Sequence, residues 1–267
     1  MLNADPILTF ISAETMPTEF LMRYYCMVKN YKKSAALYNV DVYQSKGMGF
    51  WRPLYVSFIN ELNVESVIEV GSGSTDLLDS VKAKRRVALD ANQDLEIEYQ
   101  KLGIDYYQLD LDNDDFPDIN NFDVAVCSDV YEHLLYPEKT LKNIYSILKS
   151  EGIMFSHVPN EFTFRKTVKV MLGISDSIYF GPHCYEHCDP HLHRFTKIGY
   201  KRFLEKYFNY NLLISDMKYN WKANVLKALR IPVPYAFETG PTYASTNNYD
   251  IYVKLKKLKT KLIKLKS

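Results

Sequence analysis

Long apolar runs are missing from this chain of 267 residues. Nowhere do about 18 apolar residues follow one another, which excludes a transmembrane helix. The amino terminus lacks a basic stretch leading into an apolar core, so no secretory signal is read there. Cysteine is scarce. Cys26, Cys127, Cys184 and Cys188 are too few and too scattered for a disulfide framework. Nor is charge of one sign in excess: 33 basic residues face 32 acidic ones, for a formal net charge of +1. That balance removes the global reason to expect nucleic acid as a partner. No internal repeat is visible. The expectation is a reduced, soluble, cytoplasmic protein. Its apolar share of 47% is enough for a sizeable core.

What is present is an alternation. Residues 1–60 read as a helical cap, with Gly47-Met48-Gly49-Phe50-Trp51 as a glycine-punctuated elbow. Beyond it, short strand-like runs take over, the first of them β-branched and ended by glycines. They are Ser66–Val70, Arg86–Asp90, Asp105–Leu109, Phe122–Cys127 and Ile153–Val158. Helices are predicted between them, at Thr75–Val81 and Pro137–Leu148, and again at Lys197–Phe208. Two later strands are predicted at Asn211–Ser215 and Tyr249–Leu255. The stretches 160–195 and 218–248 break the rhythm and read as insertions over the active face. The fold class expected is α/β: a Rossmann-like, doubly wound, mostly parallel sheet with helices on both faces and a helical cap. This domain would span 61–255, followed by a basic tail over 256–267.

The loop Glu69-Val70-Gly71-Ser72-Gly73-Ser74-Thr75 joins the first strand to its helix, and Asp90 ends the second strand about twenty residues on. A pyrophosphate resting on that helix would meet the Glu69 carboxylate and be repelled. S-adenosylmethionine (SAM) has no phosphate and carries an ammonium and a sulfonium, so the same carboxylate favours it over a dinucleotide. Alone, Asp90 and Asp110 could equally be turn formers at strand ends.

Taken together, these segments resemble the class I SAM-dependent methyltransferases of the small-molecule group. The resemblance covers residues 64–160 and reaches to about 215, through Glu69-x-Gly71-x-Gly73, Asp90, Asp110-Leu111, Phe122-Asp123-Val124, Glu132-His133-Leu134, Pro137, Gly152 and Pro159-Asn160. It implies that Glu69, Gly71, Ser72 and Gly73 cradle the methionine part of SAM. Asp90, with Ala91, would hold the ribose hydroxyls. Asp110 and Leu111 would lie beside adenine, and Ser128 would complete the pocket. Thr75 stands where many members have a third glycine, and Asp129-Val130-Tyr131 departs from the usual Glu-Val-Leu.

Methyl transfer to a hydroxyl requires alignment and a proton acceptor. Asp129, His133 and His193 are the candidates. For His133, a histidine that only packs a helix is an equal reading. Residues 183–196 hold four of the six histidines together with Cys184 and Cys188. They read as a substrate lid, as a loop satisfying its own hydrogen bonds, or as a zinc site. Class I transfer needs no metal, and none is expected.

The acceptor implied is a small molecule, with a sugar or other cell-surface glycan precursor first. A quinone or lipid precursor is the alternative, and a non-catalytic SAM-binding regulator is the reading from another class. In the tail, Leu255, Leu258, Leu262 and Leu265 share one helical face among seven lysines. That face suits an anionic membrane surface at the inner face of the membrane, or packing on the domain or on a second copy in a homodimer. With a strand at Tyr249–Leu255 closing the sheet, catalysis should survive deletion from Lys256 onward.

Overall fold

A computed structural model describes residues 52–73, 76–160, 162–173, 191–214 and 240–264. The cap reading therefore lies outside the described residues up to position 51, as do Cys184 and Cys188. The first described helix, α1 (Arg52–Leu62), buries Leu54, Tyr55, Phe58 and Ile59. The parallel strands that follow are β1 (Ser66–Val70), β2 (Arg85–Asp90), β3 (Asp105–Gln108), β4 (Phe122–Ser128) and β5 (Leu148–His157). Between them run α2 (Asp76–Ser80), α3 (Glu96–Lys101) and α4 (Pro137–Ile147), the last opening on a proline that is free of any need to donate there. Then come α5 (Phe164–Met171), α6 (Lys197–Leu204), β6 (Tyr210–Leu213), β7 (Thr242–Thr246) and α7 (Tyr249–Lys264).

The strands form one sheet in the order β3-β2-β1-β4-β5-β7-β6. All pairs are parallel except β5–β7 and β7–β6. The expected doubly wound, mostly parallel fold is the one found. The pleat sends alternate residues to two cores. Val67, Ala88, Val124, Val126 and Phe155 pack towards α1, α2, α3 and α7. Ile68, Val87, Leu89, Ala125 and Met154 pack towards α4 and α6. Every residue of β1 is buried, which is why Val67–Val70 reads as an apolar run interrupted by Glu69.

Two elements differ from the sequence reading. Residues 249–255 are not a strand; they open α7, which also takes in most of the predicted tail. Asn248 caps the helix, its Oδ1 accepting from the N–H groups of Asp250 and Ile251 at 2.9 and 3.1 Å. Leu255, Leu258 and Leu262 are buried in the core. These three leucines of the face offered for a membrane are thus covered by the domain itself, and Leu265 lies outside the described residues. The closing strand is instead β7, inside the stretch read as an insertion. Among the described residues, no helix is long and apolar enough to cross a membrane.

Candidate functional site

The sheet reverses its winding between β1 and β4, and ligands of open α/β sheets lie at the carboxyl ends of strands at such a switch. Val70 pairs with Cys127, so the chain leaves the sheet side by side at Gly71 and Ser128. The two loops touch. A Cβ on Gly71 would stand 2.4 Å from a Val130 methyl, and Gly71 holds φ +69°, so a side chain is excluded there twice over.

The loop after β1 is tied down from three sides. Gly71 and Ser72 donate their N–H groups to the Leu89 carbonyl at 2.8 and 3.2 Å. Gly73 donates to Asp90 Oδ2 at 2.8 Å, while Asn92 N–H holds Asp90 Oδ1 at 2.9 Å. Arg52, reaching in from α1, donates to the Ser72 carbonyl at 3.0 Å and stands 3.4 Å from Glu69 Oε1. The other oxygen of Glu69 is buried with no hydrogen-bond partner among the described residues. Burial pushes the Glu69 carboxyl up to about 8; the Arg52 guanidinium opposes this, and Asp90 and Asp76 add to it. Burial raises Asp90 too, against its backbone donors. A Cβ on Gly73 would meet nothing within 4 Å, so there is room beside the loop. Two carboxyls, Glu69 with one oxygen unpartnered and Asp90 held by backbone donors, thus flank the glycine loop.

The other predicted cofactor residues line up at the same sheet end. The Ala91 carbonyl accepts from Gln108 Nε2 at 3.3 Å. Leu109 N–H donates to the Asp90 carbonyl at 2.8 Å, which brings Asp110 and buried Leu111 to the end of β2. The Asp110 carboxylate is engaged locally, by Asp112 N–H at 3.0 Å and Asn113 Nδ2 at 2.7 Å, so its turn-forming role is realised. Ser128 is buried, its hydroxyl 3.1 Å from that of Tyr55.

The three proton-acceptor candidates fall into three settings. Asp129 has φ +55°, in the left-handed region where a non-glycine residue is strained. Its Oδ1 lies 3.6 Å from His157 Nε2, and His157 Nδ1 lies 2.9 Å from the Thr242 hydroxyl. Burial drives the His157 imidazole down to about 3, so it is neutral. His133 Nε2 is 3.9 Å from Glu132 Oε1, and its ring meets that of His191 edge to face at 4.7 Å. His193 lies with its ring tilted against that of Phe195 at 6.2 Å and lines a groove of about 590 Å³ with Tyr136, Lys139, Phe203 and Lys206.

Sequence reasoning missed Arg52, Asn92, His157 and Thr242. Arg52 and His157 carried a signal: a basic residue on an otherwise apolar helix face, and a histidine at the last position of a buried strand. Each is a polar group that burial obliges to find a partner.

A profile of the methyltransferase domain family matches residues 43–210. No curated protein matches the chain in sequence. Among solved structures, the N-methyltransferase NodS of Bradyrhizobium japonicum, in complex with S-adenosyl-L-homocysteine, is similar at 12% identity and a TM-score of 0.51, over 82% of this chain and all of its own. A SAM-dependent methyltransferase of Clostridium acetobutylicum is similar at 13% identity and 0.51, over 82% of this chain and 99% of its own. One from Thermotoga maritima gives 14% and 0.50, over 83% and 100%.

Proposed function

The chain belongs to the methyltransferase domain family, and from that premise we propose that it transfers a methyl group from SAM to an oxygen of a small molecule, a sugar or other precursor of a cell-surface glycan. The observation that carries the reading is the buried Glu69 carboxyl with its unfilled oxygen beside the glycine loop. Glu69 and the loop from Gly71 to Gly73 would hold the methionine part of SAM, and Asp90 the ribose hydroxyls. Ala91, Asp110, Leu111 and Ser128 would flank the rest. When bound, SAM supplies a methyl group made electrophilic by its sulfonium.

The chain's own task is then to align an acceptor oxygen and to take its proton. Asp129 is the group we assign to the proton. It stands on the loop whose Val130 packs against Gly71, so cofactor loop and base are fixed to one another. His157, neutral and anchored on Thr242, faces Asp129 Oδ1 at 3.6 Å. The aromatic groove beside His193, with Tyr136 and Phe195 near Lys139, offers the stacking surface and charge that a sugar uses.

The test is product analysis. Purified protein is incubated with SAM and a panel of sugars, sugar nucleotides and matched amino sugars, and products are read by mass spectrometry. A methyl ether on a hydroxylated sugar is expected. Methylation confined to the amino group of amino sugars would overturn the oxygen assignment. Absence of SAM binding in calorimetry would overturn the cofactor.

A further inference from the structure

Glu132, His133 and His191 come together from two separate segments at the carboxyl end of β4. One ligand atom from each, a carboxylate oxygen and two imidazole nitrogens, lies within 4.8 Å of the other two. Glu132 is almost wholly buried, at 1% exposure, and the His133 side chain is 13% exposed. The meeting is held by the backbone. The Glu132 carbonyl accepts from the N–H groups of both Leu192 and His193, at 2.6 and 3.0 Å, which fixes the residue just before them, His191, over the turn. His133 N–H in turn donates to the Val130 carbonyl at 2.9 Å.

We propose that Glu132, His133 and His191 form a three-ligand site for a divalent transition metal of the zinc class, with its remaining position open to an oxygen of the methyl acceptor. The donor set is the argument. Two imidazoles and one carboxylate are what a zinc site with an open fourth position uses, and imidazole nitrogen selects against magnesium and calcium. A tetrahedral ion with bonds of about 2.0–2.2 Å needs its ligand atoms about 3.3–3.6 Å apart. The 3.9 Å between His133 Nε2 and Glu132 Oε1 is close to that, and small side-chain rotations close the rest. A buried carboxylate facing two imidazoles also lowers the cost of placing a dication there.

The site lies on the loop that carries Asp129. The role given to the open position rests on the methyltransferase reading; the metal site itself does not. It differs from a cysteine-based site, because Cys184 and Cys188 are not among its ligands, and it reverses the expectation that no metal is bound.

The test uses the full-length protein without a histidine tag, stripped with a chelator and titrated with cobalt(II). Cobalt reports tetrahedral nitrogen and oxygen ligation through its visible absorption. One equivalent is expected to bind with a tetrahedral spectrum, and zinc to displace it. Binding should weaken at least tenfold in His191→Ala and in Glu132→Gln. His191 is half-buried on a loop, so its variant tests the site without emptying the core. Binding of S-adenosyl-L-homocysteine, measured in the same samples, reports that each variant is folded. No stoichiometric cobalt binding overturns the proposal. Full binding in both variants, as would follow if Cys184 and Cys188 were the ligands, overturns it as well. Because the readout is metal binding, its failure is distinct from a failure to transfer methyl groups.

Discussion

At the scale of single residues, protonation of Glu69 links the stability of the apoprotein to its affinity for a cation. The folded protein keeps a proton on Glu69 up to about pH 8, whereas the unfolded chain releases it near the ordinary value of 4.5. The native state therefore binds more protons across that window, and stability falls as pH rises through it. Glu69→Gln should remove this slope, read by chemical denaturation at pH 5, 6.5 and 8. The same substitution should weaken SAM by about 1–3 kcal/mol, the loss of a charged partner. Wild-type affinity should climb towards pH 8 and level off, while the variant stays flat. Equal pH profiles for the two proteins would show that Glu69 does not titrate with binding. Asp90→Ala should weaken SAM by a similar ~1–3 kcal/mol in calorimetry. Unchanged affinity would remove Asp90 from the site. His157 works in the opposite sense. Its folded value, near 3, lies below the ordinary 6.5, so the native state refuses a proton that the unfolded chain accepts. Its contribution is complete above pH 6.5 and lost as pH falls towards 3. His157→Gln should flatten that acid limb of the stability curve.

At the scale of elements, α7 shows how one sequence satisfies two periods. Ile251, Val253 and Leu255 alternate as a strand would, while Ile251, Leu255, Leu258 and Leu262 recur as a helix does. The helix wins because Asn248 caps it and its leucines enter the core beside α1. Deletion from Lys256 onward is accordingly not neutral. Losing Leu258 and Leu262 removes about 1.5–3 kcal/mol of burial apiece. Leu258→Ala alone should cost about 2–3 kcal/mol in urea unfolding. A truncated protein as stable as the complete one would mean that the last turns of α7 are not part of the core. The strand β7 escaped notice for the converse reason. Thr242-Tyr243-Ala244-Ser245-Thr246 is fully buried, yet three of its five residues are Ser or Thr, so no apolar run announces it. Strands β1, β2, β4 and β5 were legible because each carries a short apolar run close to a turn-forming residue. The glycine loop was legible because its spacing is local. The partners Arg52–Glu69 and Asp129–His157 were not, since each pair is formed by segments that only the sheet brings together.

At the scale of the whole molecule, the two ends of the sheet do different work. The carboxyl end carries the proposed site; the amino end is fastened by Asp123, whose carboxylate takes Ser66 N–H at 2.9 Å, the Ser66 hydroxyl at 2.8 Å and Lys149 Nζ at 2.6 Å. Partial burial works against its charge, but these donors prevail and hold the carboxyl below the ordinary range. Asp123→Ala should therefore lower stability by about 1–3 kcal/mol and leave the SAM dissociation constant unchanged, measured by melting and by calorimetry on one preparation. A change in SAM affinity would show that the two ends are coupled. The strand order has a consequence in time as well. Among the described strands, β6 joins the sheet only through β7, and β7 lies between β5 and β6 although it is the last strand in the chain. While the protein is being synthesised, the outer edge of β5 has no native strand to pair with until Thr246 has left the ribosome. An exposed strand edge is where chains associate wrongly. The nascent chain is thus most in need of a chaperone over the interval between β5 and β7, and a ribosome stalled there would hold a nearly complete sheet with one edge unguarded.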